Sequence, residues 1–132
     1  MLLNLVLLGI IFAQLFLIPS EIVLAQSDDK VGDVNGNVVN SRYVTITDHR
    51  YRHGDFSDVI TGTVINNSTQ EIPVISVIVA VYDKDDKLIT TGIGSADASD
   101  LPGGGSSAFS IHLFGLEEDL VNHYILFPGG IP

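Results

Sequence analysis

The chain has 132 residues, a formal net charge of −10 and no cysteine. The missing cysteines exclude disulfides, thiolate nucleophiles and cysteine-ligated zinc, iron–sulfur or copper sites. Six Lys and Arg against 16 Asp and Glu argue against nucleic acid as a partner, since that binding requires a basic patch. The acidity favours a protein that stays soluble and monomeric outside the cell.

Residues 1–25 form an apolar block with one charged side chain, Glu21. The small or apolar residues Val23 and Ala25 stand where a signal peptidase cleaves, which predicts a signal peptide cut after Ala25. The alternative is a retained membrane anchor, although the apolar run 2–18 is short for a hydrocarbon core of about 30 Å. A third interpretation is a core segment. In the first two cases the protein is extracytoplasmic, and it contacts the membrane only through an uncleaved segment.

The remaining chain divides into a polar segment and a domain. Residues 26–41 are rich in Asn, Asp and Gly, which predicts a polar linker that enters the first strand near its end. Alternating apolar and polar residues then predict strands over 43–47, 59–65, 72–82, 88–93, 108–113 and 123–127. Six to seven short strands with turn residues between them and almost no helix predict an all-β fold over 42–132, an antiparallel β-sandwich.

The segment 72–82 is the clearest of these strands. Ile75, Val77 and Val79 share one face, while Val74 and Ile78 lie on the other. Because both faces are apolar, we expect a central strand that is largely buried.

Several runs of the sequence resemble the FxLYD domain family: Ile60-x-Gly62-x-Val64-x-Asn66-Asn67-Ser68, Val79-Ala80-Val81-Tyr82-Asp83, Leu101-Pro102-Gly103 and Phe109-x-Ile111. The resemblance covers roughly residues 44–127, with Val79 and Val81 where the family's name has Phe and Leu. It implies a small immunoglobulin-like sandwich of an exported or membrane-anchored prokaryotic protein. It implies no catalytic residues, because the motif positions serve packing and turns.

A histidine cluster is the first candidate metal site. On a strand, His49, Tyr51 and His53 would share a face, and with Asp55 they could approach a transition metal. The simpler interpretation is a solvated loop whose charges balance.

The acidic turn 83–87 is the second candidate. Asp83, Asp85 and Asp86 offer oxygen ligands for calcium, but the glycine and glutamate of an EF-hand loop are missing. A polar hairpin tip explains the same residues.

Two overlapping sequons make Asn66 and Asn67 glycosylation candidates, and Asn67 is favoured because it lies further into the turn. The alternative is that these residues only form the turn.

The sequence therefore predicts a non-enzymatic, exported or cell-surface module without a cofactor. Its role would be structural, or binding of an extracytoplasmic protein or ligand, with edge strands as places for a partner strand to add. No nucleophile elbow or other set of residues with compatible catalytic roles occurs. The alternative is a calcium- or transition-metal-binding envelope protein.

Overall fold

The computed structural model describes residues 34–117 and 119–132. They contain seven strands: β1 (Asn35–Val38), β2 (Val44–Arg52), β3 (Asp58–Asn66), β4 (Ser76–Tyr82), β5 (Leu88–Ser95), β6 (Ser106–Leu113) and β7 (His123–Gly129). Within these residues no helix has the length and apolarity needed to cross a membrane. The predicted signal peptide or anchor over 1–25 and the cleavage after Ala25 lie outside the described residues.

The strands form two sheets, ordered β1-β7-β4-β5 and β2-β3-β6. The all-β prediction is confirmed, but the expectation of purely antiparallel pairing is wrong for one pair, because β1 runs parallel to β7. These two strands come from opposite ends of the domain. Since no tight turn joins them, nothing local forces them to be antiparallel.

Strand β1 lies near the end of the segment 26–41, where the sequence predicted that the polar linker enters the first strand. Residues Val34–Pro132 form one compact unit, so the domain begins before residue 42. The strand depends on Gly36, where an added Cβ would lie 2.1 Å from Cζ of Tyr124. Glycine permits this close approach, but it has a low strand propensity. The composition of this segment therefore predicted mainly a linker.

The core lies between the two sheets, in a β-sandwich-like arrangement. The alternation predicted for β6 is confirmed, because Phe109, Ile111 and Leu113 are buried while His112 is exposed. The facing sheets contribute these buried side chains: Val44, Ile46, Tyr51, Ile60 and Val64 from one, and Val77, Val79, Val81, Tyr124 and Leu126 from the other.

Strand β4 is central, as predicted, and lies between β7 and β5. Val77, Val79 and Val81 on its inner face are fully buried. The strand is largely buried, as predicted, but Ile78 on its outer face is exposed, as is Val74 just before the strand.

The ends of two strands also need comment. Residues 48–52, for which the sequence left a loop or a strand extension open, continue β2 past a register break, where Asp48 takes a positive φ of 53°. Strand β7 continues through Pro128. The Leu126 carbonyl accepts from the Val39 N–H at 2.9 Å, so the Leu126 backbone faces β1. Pro128, two residues on, faces the same side beyond the end of β1, where no N–H is needed.

Candidate functional site

The outer face of the four-stranded sheet carries a row of exposed apolar side chains. Ile93 of β5 lies opposite Ile78 of β4, which lies opposite Phe127 of β7. These three residues, named here the apolar row, are 66%, 47% and 38% exposed. Side chains directly opposite on adjacent strands contact each other, so the row is a continuous apolar surface.

The apolar surface extends from the row towards one end of the sheet. Val74 and Ile131 are both exposed there. Together with Pro73, Ile78 and Phe127 they help to line an open groove of about 560 Å³. An exposed apolar surface of this kind typically marks an interaction site.

The same face has no ionised side chain in its strand rows. The outward-facing residues around the apolar row are Asn35, Asn37, Ser76, Ala80, Tyr82, Leu88, Thr91, Ser95, His123 and Ile125. None is Asp, Glu, Lys or Arg, although the chain as a whole has a net charge of −10. This face therefore suits an uncharged, apolar protein surface better than a charged ligand.

His49, predicted as a metal ligand, contacts a tyrosine of the opposite sheet. Its Nδ1 lies 2.8 Å from Oη of Tyr124, and the two rings meet edge to face at 5.7 Å. Burial lowers the pKa of His49. The imidazole therefore serves as a polar link between the sheets.

His53 contacts Asp58 rather than the predicted Asp55. Its Nδ1 lies 2.7 Å from Oδ1 of Asp58, close enough for an ion pair although the angles do not fit a hydrogen bond. The buried Asp58 also accepts a hydrogen bond from the Tyr51 hydroxyl. Within residues 34–117 and 119–132, no group of three or more His, Cys, Asp or Glu could hold a metal ion. The structure thus gives His49 and His53 separate partners.

The acidic turn is organised by its own backbone. Oδ1 of Asp83 accepts from the N–H groups of Asp85 and Lys87 at 2.9 and 3.0 Å. Asp86 takes a positive φ of 60°, and its Oδ1 lies 3.4 Å from Nε2 of His123. These contacts are those of a hairpin tip, since Asp stabilises turns by binding backbone N–H groups two residues on.

The two sequon asparagines lie in different environments. Asn66 is fully buried, and its Nδ2 donates to the carbonyls of Gln70 and Leu101 at 2.8 and 2.9 Å. Asn67 is exposed, and its Nδ2 donates to the Thr45 hydroxyl. In the folded chain, of these two residues only Asn67 presents its side chain at the surface.

The buried Tyr124 predicts a loss of stability at high pH. Burial raises its pKa from 10.0 to about 12, and burial with the Asp58 contact raises the pKa of Tyr51 as well. The unfolded chain therefore releases these protons first, so the free energy of unfolding falls as pH rises from about 10 towards 12. For Tyr124, a rise of two pKa units corresponds to a fall of about 3 kcal/mol in the free energy of unfolding. Urea titrations at about pH 9 and about pH 11.5 measure this fall.

The variant Tyr124→Phe tests the assignment, because it removes the ionisable group. We expect the free energy of unfolding to fall less with rising pH in this variant than in the unchanged chain. Tyr82→Phe removes the same atom at a half-buried position on the outer face, so we expect its free energy of unfolding to fall as much as that of the unchanged chain. Equal falls in the unchanged chain and both variants would contradict the role of Tyr124.

The sequence pattern that underlies the apolar row was visible in 72–82, but it was interpreted as a buried second face of the strand. Apolar residues on both faces of 72–82 indicate either a covered strand or an exposed apolar face, and the pattern cannot separate them. Nothing in the sequence identified Asp58 as a partner of Tyr51 and His53, because these contacts form only when the chain turns back between β2 and β3.

Comparison of the chain with protein-family models, curated proteins and solved structures found no match.

Proposed function

We propose that this chain is a non-enzymatic, exported or cell-surface module, an immunoglobulin-like sandwich of the FxLYD type, that binds another protein through the outer face of its four-stranded sheet. The observation that carries this proposal is the apolar row of Ile93, Ile78 and Phe127, exposed side by side across three strands. The quoted FxLYD motifs support the family and the location, and the apolar segment 1–25 supports export.

The energy available from the apolar row is of the size that binding needs. Burying a whole isoleucine or phenylalanine side chain yields about 1.5–3 kcal/mol, so covering the exposed parts of these three yields about 1 kcal/mol each. Val74 and Ile131 extend the same surface. Because association itself costs several kcal/mol, this surface alone supports reversible binding of modest affinity.

A photo-crosslinking side chain at Ile78 tests this binding in the producing cells. We expect an adduct at this position, because a bound protein would cover the apolar row. The matched control is Thr63, which occupies the outer side of β3, the central strand of the other sheet. No adduct at Ile78, or equal adducts at Ile78 and Thr63, would contradict the proposed binding face.

Fractionation and intact mass of the same cells test the location. An extracytoplasmic chain beginning at Gln26 fits a cleaved signal peptide, and a full-length chain in the membrane fraction fits a retained anchor. A full-length chain in the cytosol would overturn export.

A further inference from the structure

We propose that a second copy of the same chain pairs along the edge of β5, beside the proposed binding face, so that the two four-stranded sheets become one continuous sheet. This inference goes beyond the proposed function, because pairing at the edge leaves the outer face of the sheet open to another protein. Its evidence is separate, since it comes from the backbone of the sheet edge rather than from the apolar side chains alone.

Three of the four edge strands have features that oppose pairing with another chain. Strand β1 has only four residues. Strand β2 is interrupted at Asp48 and carries Arg50 and Arg52 at exposed positions. Short length, bulges and charged side chains are the usual protections of a sheet edge.

The edge of β6 is covered in part by the chain that leaves β5. Ala96 forms a bridge with Phe109. The Asp97 N–H donates to the Ala108 carbonyl at 2.8 Å, and the Ala98 N–H donates to Oγ of Ser107 at 3.0 Å. These contacts occupy the Ala108 carbonyl and place residues 96–98 beside the β6 edge, where an added strand would lie.

Strand β5 offers a longer regular edge than the other three, because its one register shift lies at its start, between the pairs Val81–Thr90 and Tyr82–Leu88. It runs for eight residues, Leu88–Ser95, without a charged side chain or a proline. It is the last strand of its sheet, so among residues 34–117 and 119–132 no strand pairs with its other side. A long, uncharged edge strand is a template for strand addition.

The direction of the β5 backbone shows which residues would pair. The Ala96 N–H donates to the Ile75 carbonyl at 2.9 Å, so the Ala96 backbone faces β4. Because backbone direction alternates along a strand, Gly94 also faces β4, while Ser95, Ile93 and Thr91 direct their N–H and C=O groups away from the sheet.

These three residues are complementary to themselves. A two-fold axis at Ile93 places Ile93 opposite Ile93 of the second copy and Thr91 opposite its Ser95, each pair exchanging two N–H···O bonds. The side chains then pair as isoleucine with isoleucine and hydroxyl with hydroxyl, which are favourable neighbours across strands. The apolar row continues from one copy into the next.

Charge also favours this contact over others on the molecule. A net charge of −10 on each copy opposes association. The seam formed by Thr91, Ile93 and Ser95 carries no charge, so the repulsion acts over longer distances, where salt screens it. We therefore expect self-association to strengthen as salt is added, opposite to the weakening expected of ion pairs.

Sedimentation velocity of the mature chain, purified from producing cells, tests this inference. We expect a reversible monomer–dimer equilibrium, stronger at higher salt. The variant Ile93→Lys places two like charges opposite each other in the seam and should raise the dissociation constant at least about tenfold. The matched control is Ala108→Lys, which makes the same charge change on the outer side of β6. It should leave the dissociation constant unchanged or slightly lower.

A second variant separates loss of pairing from loss of folding. Thr91→Pro removes an N–H that points away from β4, so the monomer retains its own hydrogen bonds while pairing is blocked. We expect a monomer with an unchanged far-ultraviolet circular dichroism spectrum. A folded Thr91→Pro or Ile93→Lys chain that dimerises like the unchanged protein would overturn the β5 interface.

The adduct formed from Ile78 and the oligomeric state together distinguish the two proposals, because pairing along β5 leaves Ile78 uncovered. A dimer whose Ile78 forms an adduct with a different protein supports both proposals, and a dimer without an adduct at Ile78 supports self-pairing and overturns the proposed binding face. An adduct with a different protein, with the purified chain monomeric at all salt concentrations, overturns self-pairing and leaves the proposed binding face intact. Absence of any adduct, with a monomeric chain, overturns both.

Discussion

Replacing Asn66 by alanine is expected to lower the free energy of unfolding by about 4 kcal/mol. The Asn66 side chain is fully buried and donates from Nδ2 to the Gln70 and Leu101 carbonyls at 2.8 and 2.9 Å. Its Oδ1 accepts from the backbone N–H and the hydroxyl of Ser68 at 2.9 and 2.7 Å. Alanine leaves these groups without their partner and opens a cavity. Urea titration at neutral pH measures the loss.

The neighbouring asparagine provides the matched control. Asn67→Ala removes the same atoms from an exposed position, so we expect a change within about 0.5 kcal/mol. Asn66→Asp keeps the acceptor but replaces the donor with a carboxylate oxygen that faces two carbonyls, so we expect a loss similar to that of alanine. Similar stability of Asn66→Ala and Asn67→Ala would contradict the structural role of the buried side chain.

Much of the strand pattern could be predicted because alternation has a direct physical cause. A strand packed on one side must place every second side chain in the core, so Phe109, Ile111 and Leu113 were identifiable from spacing alone. The turn at Asn66 and Ser68 was likewise predictable, because these side chains bind nearby backbone groups.

Contacts made over long sequence separations could not be predicted in the same way. Strand β1 exists because Gly36 fits over the ring of Tyr124, and residues 34–39 alone give only weak strand preference. The bond from Asn66 to Leu101 joins residues 35 positions apart, so the local pattern showed the turn without this second attachment.

The candidate site illustrates the same limit. Ile78 and Ile93 are apolar residues in predicted strands, but only the sheet order places them side by side and leaves their face uncovered. His49 and His53 stood out because of their residue type. The structure gives them Tyr124 and Asp58 as partners, on strands that the sequence could not place beside them.

The contact between Tyr51 and Asp58 leads to the second large expected effect. The Tyr51 hydroxyl donates to Oδ2 of Asp58, while Oδ1 faces Nδ1 of His53 at 2.7 Å and the Gly54 N–H at 3.4 Å. Asp58 is only 2% exposed, so water cannot replace a lost donor. We expect Tyr51→Phe to lower the free energy of unfolding by about 3 kcal/mol, because a buried carboxylate oxygen loses its hydrogen bond.

A double-mutant cycle isolates this interaction. In an Asp58→Asn background the acceptor is neutral, so adding Tyr51→Phe should cost only about 1 kcal/mol, which gives a coupling energy of about 2 kcal/mol. Tyr43→Phe is the matched control, since it removes a hydroxyl from a half-buried tyrosine whose ring packs under Arg42, and it should change stability by less than about 0.5 kcal/mol. Losses that simply add in the double variant would contradict this coupling and show that the Tyr51 hydroxyl contributes independently of the Asp58 carboxylate.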